Sequence, residues 1–294
     1  KYMAARGYGA EVVFHGSSFD DACAHAGLLA RQKGLYFIPP FDDEFVMAGQ
    51  GTVGLEIIEA VPDVDAIVVP IGGGGLIAGM ATAVKALKRG VKVIGVESEA
   101  STSCIESLKA GRPVETAGQA TIADGIAVKR VGDKTFPIIK ELVDDVVSVG
   151  EETIAGAILK LLERKKIVVE GAGAVTLAAA MEGKLPKAAR KVVFVLSGGN
   201  IDVTTLDRVI RAGLVKEGRM LKISTVLQDA PGSLAGLTGE IAAAKANILH
   251  VIHLREAEYL PVGLTRIEVI LEVEGHEHSN RVLKALRDRG YTAS

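Results

Sequence analysis

Cysteine is scarce in this 294-residue chain, which holds only Cys23 and Cys104. Two isolated thiols build neither a disulfide framework nor a cysteine-based metal centre, so the expected setting is a reducing cytoplasm and both read as small buried hydrophobes. Charge of one sign is also missing: 34 Lys and Arg face 36 Asp and Glu, with no basic block. That balance gives no footprint for a nucleic-acid partner or an anionic membrane. A signal peptide is lacking too, and the chain opens at Lys1 on what reads as the tail of a helix, so an N-terminally truncated protein is expected. One uncharged run, Ala66 to Val84, approaches the length of a membrane span, but Pro70 and its glycines split it into a short strand and a short helix. With 48% hydrophobic and 24% charged residues the chain reads as soluble and globular, long enough for two or three domains.

Glycine, in contrast, is abundant, and four are consecutive. The run Ala66-Ile67-Val68-Val69-Pro70-Ile71-Gly72-Gly73-Gly74-Gly75-Leu76 is a buried-strand pattern that breaks into glycine and resumes as a helix. Residues without a Cβ let successive backbone N–H groups converge, and the following helix adds the positive end of its dipole, which together make a phosphate cradle. Two cofactor classes use such a turn. Gly73, Gly75 and Ala78 satisfy the dinucleotide fingerprint, and Glu97 closes the next strand near the spacing of a ribose-binding acid. Against a dinucleotide, the segment lies well inside the chain and the fingerprint has no role for a fourth glycine.

The chain up to Lys216 alternates strand and helix: strands over Ala10–His15, Leu35–Ile38, Ala66–Pro70, Val91–Glu97, Val143–Val149 and Lys191–Leu196, with helices between them. One of those helices is expected from Ser18 to Lys33, and Ser98–Val131 reads as a looser region. This order predicts an α/β fold with a mostly parallel sheet and helices on both faces. Gly72 and Ser197 then sit at the carboxyl ends of two strands, where ligands of open α/β sheets bind. The bound molecule is polar at two separated points, as a phosphorylated aromatic cofactor is. After Arg219 the pattern changes to a βαββαβ plan, with strands Met220–Leu227, Asn247–Leu254 and Leu264–Val273, a helix after Pro231, another over His278–Arg289, and the beginning of a last strand.

The segments Gly72-Gly73-Gly74-Gly75-Leu76, Ala123-Asp124-Gly125-Ile126-Ala127-Val128, Glu170-Gly171-Ala172-Gly173-Ala174 and Ser197-Gly198-Gly199-Asn200, in this order, closely resemble the threonine dehydratases of fold type II, which depend on pyridoxal 5'-phosphate (PLP). The tail, with Asp229-Ala230-Pro231-Gly232-Ser233-Leu234 and Ala246-Asn247-Ile248, resembles an ACT domain, an α+β ferredoxin-like regulatory module. The resemblance implies three parts: the end of a small PLP subdomain at 1–40, an incomplete large PLP-binding domain at 41–217 and the ACT domain at 218–294. It implies that the backbone of Gly72, Gly73, Gly74, Gly75 and Leu76 holds the PLP phosphate and that Ser197 hydrogen-bonds the ring nitrogen. A hydroxyl leaves that nitrogen less protonated than a carboxylate would, which favours expelling a β-hydroxyl over transamination. Threonine then yields 2-oxobutanoate and ammonia, and serine yields pyruvate.

One feature of the family has no counterpart. The PLP-binding lysine belongs to a Ser-Phe-Lys-type motif upstream of Lys1, so no catalytic residue is assigned in this chain and the chain alone is expected to be inactive. Lys85 and Lys88 read as solvated helix positions. By resemblance, Glu97 with the positions of Ser101 and Ser103 holds a cation; with serines in place of the second acid, a monovalent ion or an ordinary surface acid competes with a divalent one. Glu170 is open between a supporting role at the site and a glutamate favoured by a helix dipole. An amino-acid effector such as isoleucine or valine is expected at Asp229, Gly232, Ser233, Leu234 and Asn247, between paired modules of a homodimer or homotetramer. His250 and His253 face opposite ways on a strand, and His276 with His278 reads as a solvated turn. Two other functions compete: a catalytically dead amino-acid-binding regulator, and another fold type II enzyme such as serine racemase or a cysteine, threonine or tryptophan synthase.

Overall fold

The computed structural model describes residues 2–17, 19–255 and 260–292. Two helices, α1 (Tyr2–Gly7) and α2 (Phe19–Lys33), come first; Ser18, the expected start of α2, lies outside the described residues. The stretches Ala10–His15 and Leu35–Ile38, expected as strands, are extended without pairing. A strand needs a neighbour for its N–H and C=O groups, and none lies beside either stretch among the described residues. Tyr8, Phe14, Tyr36 and Ile38 are exposed in the same region.

From there the expected alternation holds. Helix α3 (Glu44–Ala60) is capped by Asp43, whose carboxylate accepts the N–H groups of Phe45 and Val46. It is followed by β1 (Ala66–Pro70), α4 (Gly75–Leu87) and β2 (Lys92–Ser98). The stretch read as loose contains α5 (Ser103–Ala110) and a short 3-10 turn at Asp124–Ile126, and leads to α6 (Thr135–Leu142) and β3 (Asp145–Val149). Helix α7 (Glu151–Lys160) runs into a π-turn over Leu161–Lys165, then come α8 (Gly171–Met181), β4 (Val192–Phe194) and α9 (Val203–Lys216).

The four strands form one parallel sheet in the order β3-β2-β1-β4. Every residue of β1 is buried, as expected of a parallel strand covered on both faces. Its side chains alternate: Ile67 and Val69 join a core with α3, α4 and α6, while Val68 joins one with α7, α8 and α9.

A second, antiparallel sheet follows, built from β5 (Met220–Gln228), β6 (Asn247–Leu254) and β7 (Leu264–Glu272) in the order β5-β7-β6, with α10 (Ser233–Ala243) and α11 (His276–Asp288). The inward row Thr265, Ile267, Val269 and Leu271 of β7 packs under the helices with Leu237, Ile241, Val282 and Leu286. The expected last strand is not formed at Tyr291 and Thr292, and Ala293 and Ser294 lie outside the described residues. No described helix is long and apolar enough to cross a membrane.

Candidate active site

The glycine loop is held by its carbonyls, which leaves its N–H groups free to face a ligand. Gly73 O accepts from Thr135 Oγ1 at 2.7 Å and from Gly132 N–H at 3.1 Å. Asp42 fixes those donors by accepting the N–H groups of Asp133, Lys134 and Thr135 at the start of α6. Gly74 turns the chain at φ +94°, a conformation that glycine enters without steric cost. The first bond into α4 runs from Ala78 N–H to Gly74 O at 2.9 Å, so the N–H groups of Gly75, Leu76 and Ile77 have no intrahelical acceptor. A Cβ at Gly73 would lie 2.3 Å from the Phe41 ring, so that position also requires glycine.

The loop shares a cavity of about 700 Å³ with Asp124–Val128, Glu170, Ala172 and Ser197. All four of the sequence motifs therefore meet although they lie far apart in the chain. Ser197 stands just beyond β4, which is registered on β1 through Val195 N–H to Val68 O at 3.0 Å. Loop and serine are thus carried on the ends of adjacent parallel strands.

Glu170, left open by its sequence, is an N-cap residue of α8 whose side chain makes no bond to its own helix. Its carboxylate accepts Asn200 N–H at 3.1 Å, and its own N–H donates to Gly198 O at 3.0 Å. It stands at the N-terminal end of α8, where the helix dipole also favours a carboxylate, and it holds the serine turn from there.

Glu97 is 1% exposed and aims at the start of α5, accepting the N–H of Cys104 at 2.8 Å and of Ile105 at 2.9 Å. It supplies the cap that Thr102, without a side-chain bond there, does not. Burial outweighs those donors and pushes its carboxyl up to about 7. Ser101 Oγ donates to Val128 O at 3.2 Å, and the Ser103 hydroxyl is buried beside the Glu97 carboxylate. The expectation of an ordinary surface acid is corrected: Glu97 is interior. Among the described residues no three His, Cys, Asp or Glu side chains meet as a metal-binding group.

The lysines after the loop also differ from expectation. Lys85 is 12% exposed and pairs with Asp144 at 2.6 Å while donating to Val91 O at 2.7 Å; Lys88 donates to Pro62 O. Neither lines the cavity, and Lys85 is not solvated. His278 is buried, receiving Glu274 N–H on Nδ1 at 3.2 Å with Nε2 2.8 Å from Ala244 O, so it pins α11 and is not part of a solvated turn.

In the second sheet a cavity of about 370 Å³ gathers Asp229, Gly232, Ser233 and Leu234 with His253 and Arg255. Arg255 Nε holds both Asp229 oxygens at 3.1 and 3.2 Å. Asn247 is not part of it; its Nδ2 donates to Glu272 at 3.1 Å from the far end of β6. Sequence reasoning missed Arg255 and His253, which lie beyond the loop motif on a different strand.

A parallel α/β sheet that carries a glycine loop and a serine on adjacent strand ends has the architecture of a PLP enzyme of fold type II. The chain belongs to the PLP-dependent threonine ammonia-lyase family, and the family model described as pyridoxal-phosphate dependent enzyme matches residues 1–198. It is similar to the L-threonine ammonia-lyase of Geobacter sulfurreducens, 52% identical over 291 residues, which covers 99% of this chain and 72% of that protein. The L-threonine ammonia-lyase of Thermotoga maritima is 48% identical with the same coverage. A solved threonine deaminase, from the organism abbreviated T.th., superposes with a TM-score of 0.65 at 44% identity, covering 69% of this chain and 67% of that one.

Proposed function

We propose that the intact protein deaminates L-threonine, and L-serine as a second substrate, by PLP-dependent β-elimination of water, releasing 2-oxobutanoate or pyruvate and ammonia. The observation that carries this reading is the meeting of Gly72–Leu76, Asp124–Val128 and Ser197 in one cavity. PLP bound there supplies an electron sink that acidifies the substrate Cα–H and lets the β-hydroxyl leave. The residues fit it: the open N–H groups at the start of α4 suit a phosphate dianion, and glycine at 73 lets the loop pack against the Phe41 ring, where a Cβ would collide at 2.3 Å. Ser197 Oγ, a neutral group, would hydrogen-bond the ring nitrogen without a carboxylate's charge, which favours elimination. Val195, Leu196 and Ala172 make part of the wall apolar.

No lysine lines the cavity among the described residues, so this reading assigns the PLP-binding lysine to a part of the protein outside this sequence. The unpaired extended stretches and exposed aromatic side chains before Phe41 support a missing neighbour there. The domain boundaries follow as 1–40, 41–217 and 218–294. The last is read as an ACT domain on its β5-α10-β6-β7-α11 order, with an amino acid such as isoleucine or valine as effector in the Asp229–Leu234 cavity of a homodimer or homotetramer. A divalent cation at Glu97 does not fit: the site offers one carboxylate, and both its oxygens already hold backbone N–H groups.

The test is expression of the complete gene product with PLP and L-threonine. Cofactor absorbance together with 2-oxobutanoate trapped as its hydrazone is the expected result; a full-length protein that retains PLP and yields no oxo acid from either substrate overturns the reading.

A further inference from the structure

Glu170 lies on the wall between two cavities. One is the cavity of Gly72–Leu76 and Ser197; the other, of about 520 Å³, is lined by Glu151, Asn200, Asp202 and Arg208. The Glu170 side chain, at the N-cap position of α8, makes no bond to the first-turn N–H groups of its own helix. It turns away and joins two loops.

On one side its carboxylate accepts Asn200 N–H at 3.1 Å, and its backbone N–H donates to Gly198 O at 3.0 Å, so two residues of the Ser197–Asn200 turn are bound to one residue. A Cβ on Gly198 would sit 2.3 Å from Glu170 Oε1. On the other side a Cβ on Gly125 would sit 3.1 Å from Ala172 Cβ and 3.2 Å from the same oxygen. The carboxylate therefore packs against glycines of two separate motifs, most tightly against Gly198. The Asp124–Ile126 turn and the serine turn are set against each other through Glu170.

We propose that Glu170 is the positioning residue that fixes Ser197 in the cavity, by accepting Asn200 N–H and filling the space between Gly125 and Gly198. It acts through the serine turn and touches no reacting atom. The inference rests on the reading of Ser197 as the partner of the PLP ring nitrogen. Glutamine keeps the length and an acceptor oxygen for Asn200 N–H; alanine removes both.

The experiment uses the full-length PLP-loaded enzyme with E170A, E170Q, S197A and the double variant E170A/S197A, after thermal unfolding and cofactor content establish that each folds and holds PLP. Expected are a 10- to 100-fold loss of kcat in E170A with KM within about twofold, an altered cofactor absorbance spectrum matching that of S197A, and recovery to within about threefold in E170Q. The double variant is no slower than S197A, because Glu170 works through that serine. An E170A enzyme with wild-type kcat and spectrum overturns the proposal, as does a double variant slowed by the product of the two single effects. If S197A itself leaves spectrum and kcat unchanged, the reading of Ser197 fails first, and the proposal falls with it. Should E170A not fold, E170Q with wild-type thermal stability and kcat reduced as far as in S197A overturns it instead.

Discussion

Glu97 accepts the backbone N–H of Cys104 at 2.8 Å from inside the protein, a carboxylate capping a helix from the end of a neighbouring strand. Burial works against both partners: it holds the Glu97 carboxyl near 7 and, together with the Glu97 charge, raises the Cys104 thiol to about 12. The folded state binds the Glu97 proton more tightly than the unfolded chain, whose carboxyl titrates near 4.5. Stability from this group is therefore greatest at low pH and declines as pH rises from about 4.5 through 7, by on the order of 3 kcal/mol. Denaturant unfolding at pH 5 and pH 8 checks this. Glu97→Gln cannot lose a proton, so wild type should lead the variant by more at pH 5 than at pH 8; a constant difference contradicts the buried carboxyl.

Lys85 closes α4 onto the other edge of the sheet. The Asp144 carboxylate is pushed up by burial, but Lys85, Lys92 and Val93 N–H outweigh that and hold it below its usual range. With the folded value depressed, this contribution is present above the unfolded value near 3.8 and is lost as pH falls through the folded one. Lys85→Ala leaves Lys92, itself more than half exposed, as the only cation on Asp144 and should cost about 2 kcal/mol at neutral pH. PLP affinity should be unchanged in the full-length protein, since Lys85 stands away from the cradle. A loss of PLP without a loss of stability would restore Lys85 as a cofactor ligand.

The strands that run through both cores were legible because they are continuous apolar segments bounded by glycine and proline, and the strand ends that carry Gly72 and Ser197 followed from their order. Asn247–Leu254 was read with its observed bounds. Ala10–His15 and Leu35–Ile38 were misread because strand formation depends on partners that a local pattern does not contain. Helix α5 was hidden in a polar stretch, since its cap, Glu97, comes from another element. Glu170 stood in a recognised motif, but its work depends on Gly125 and Gly198, both distant in sequence. The cavity at Asp229–Leu234 was half legible: its loop has a local signature, whereas His253 and Arg255 are brought to it by β6.

Arg219, at the entrance to β5, pairs with Glu163 in the π-turn that ends α7. That turn leads through Lys166, a non-glycine residue at φ +60°, to Val169 and Glu170. Both ends of the pair are about a third or more exposed, so Arg219→Ala should lower stability by less than about 1 kcal/mol. Its larger expected effect is on regulation: with isoleucine or valine titrated against the full-length enzyme, the variant should bind effector as wild type does while the change in kcat shrinks. Unaltered regulation would exclude this pair as a route between the two sheets.

Gly74→Asp tests the cradle itself. A side chain there must adopt φ +94°, and its Cβ would fall 2.6 Å from Ile139 Cδ1 and 2.9 Å from Thr135 Oγ1, the hydroxyl that anchors Gly73 O. The added side chain also points toward the buried Ile139 and Thr135, neither of which lines the cavity, so its carboxylate would be driven into the apolar support beneath the loop. The variant should lose PLP on dialysis, with cofactor absorbance falling at least tenfold relative to wild type. Gly74→Ala shares the backbone strain but lacks the charge, so it should retain more cofactor than the aspartate. Equal loss in the two would assign the defect to strain alone, and full retention in Gly74→Asp would remove the glycine loop from the phosphate site.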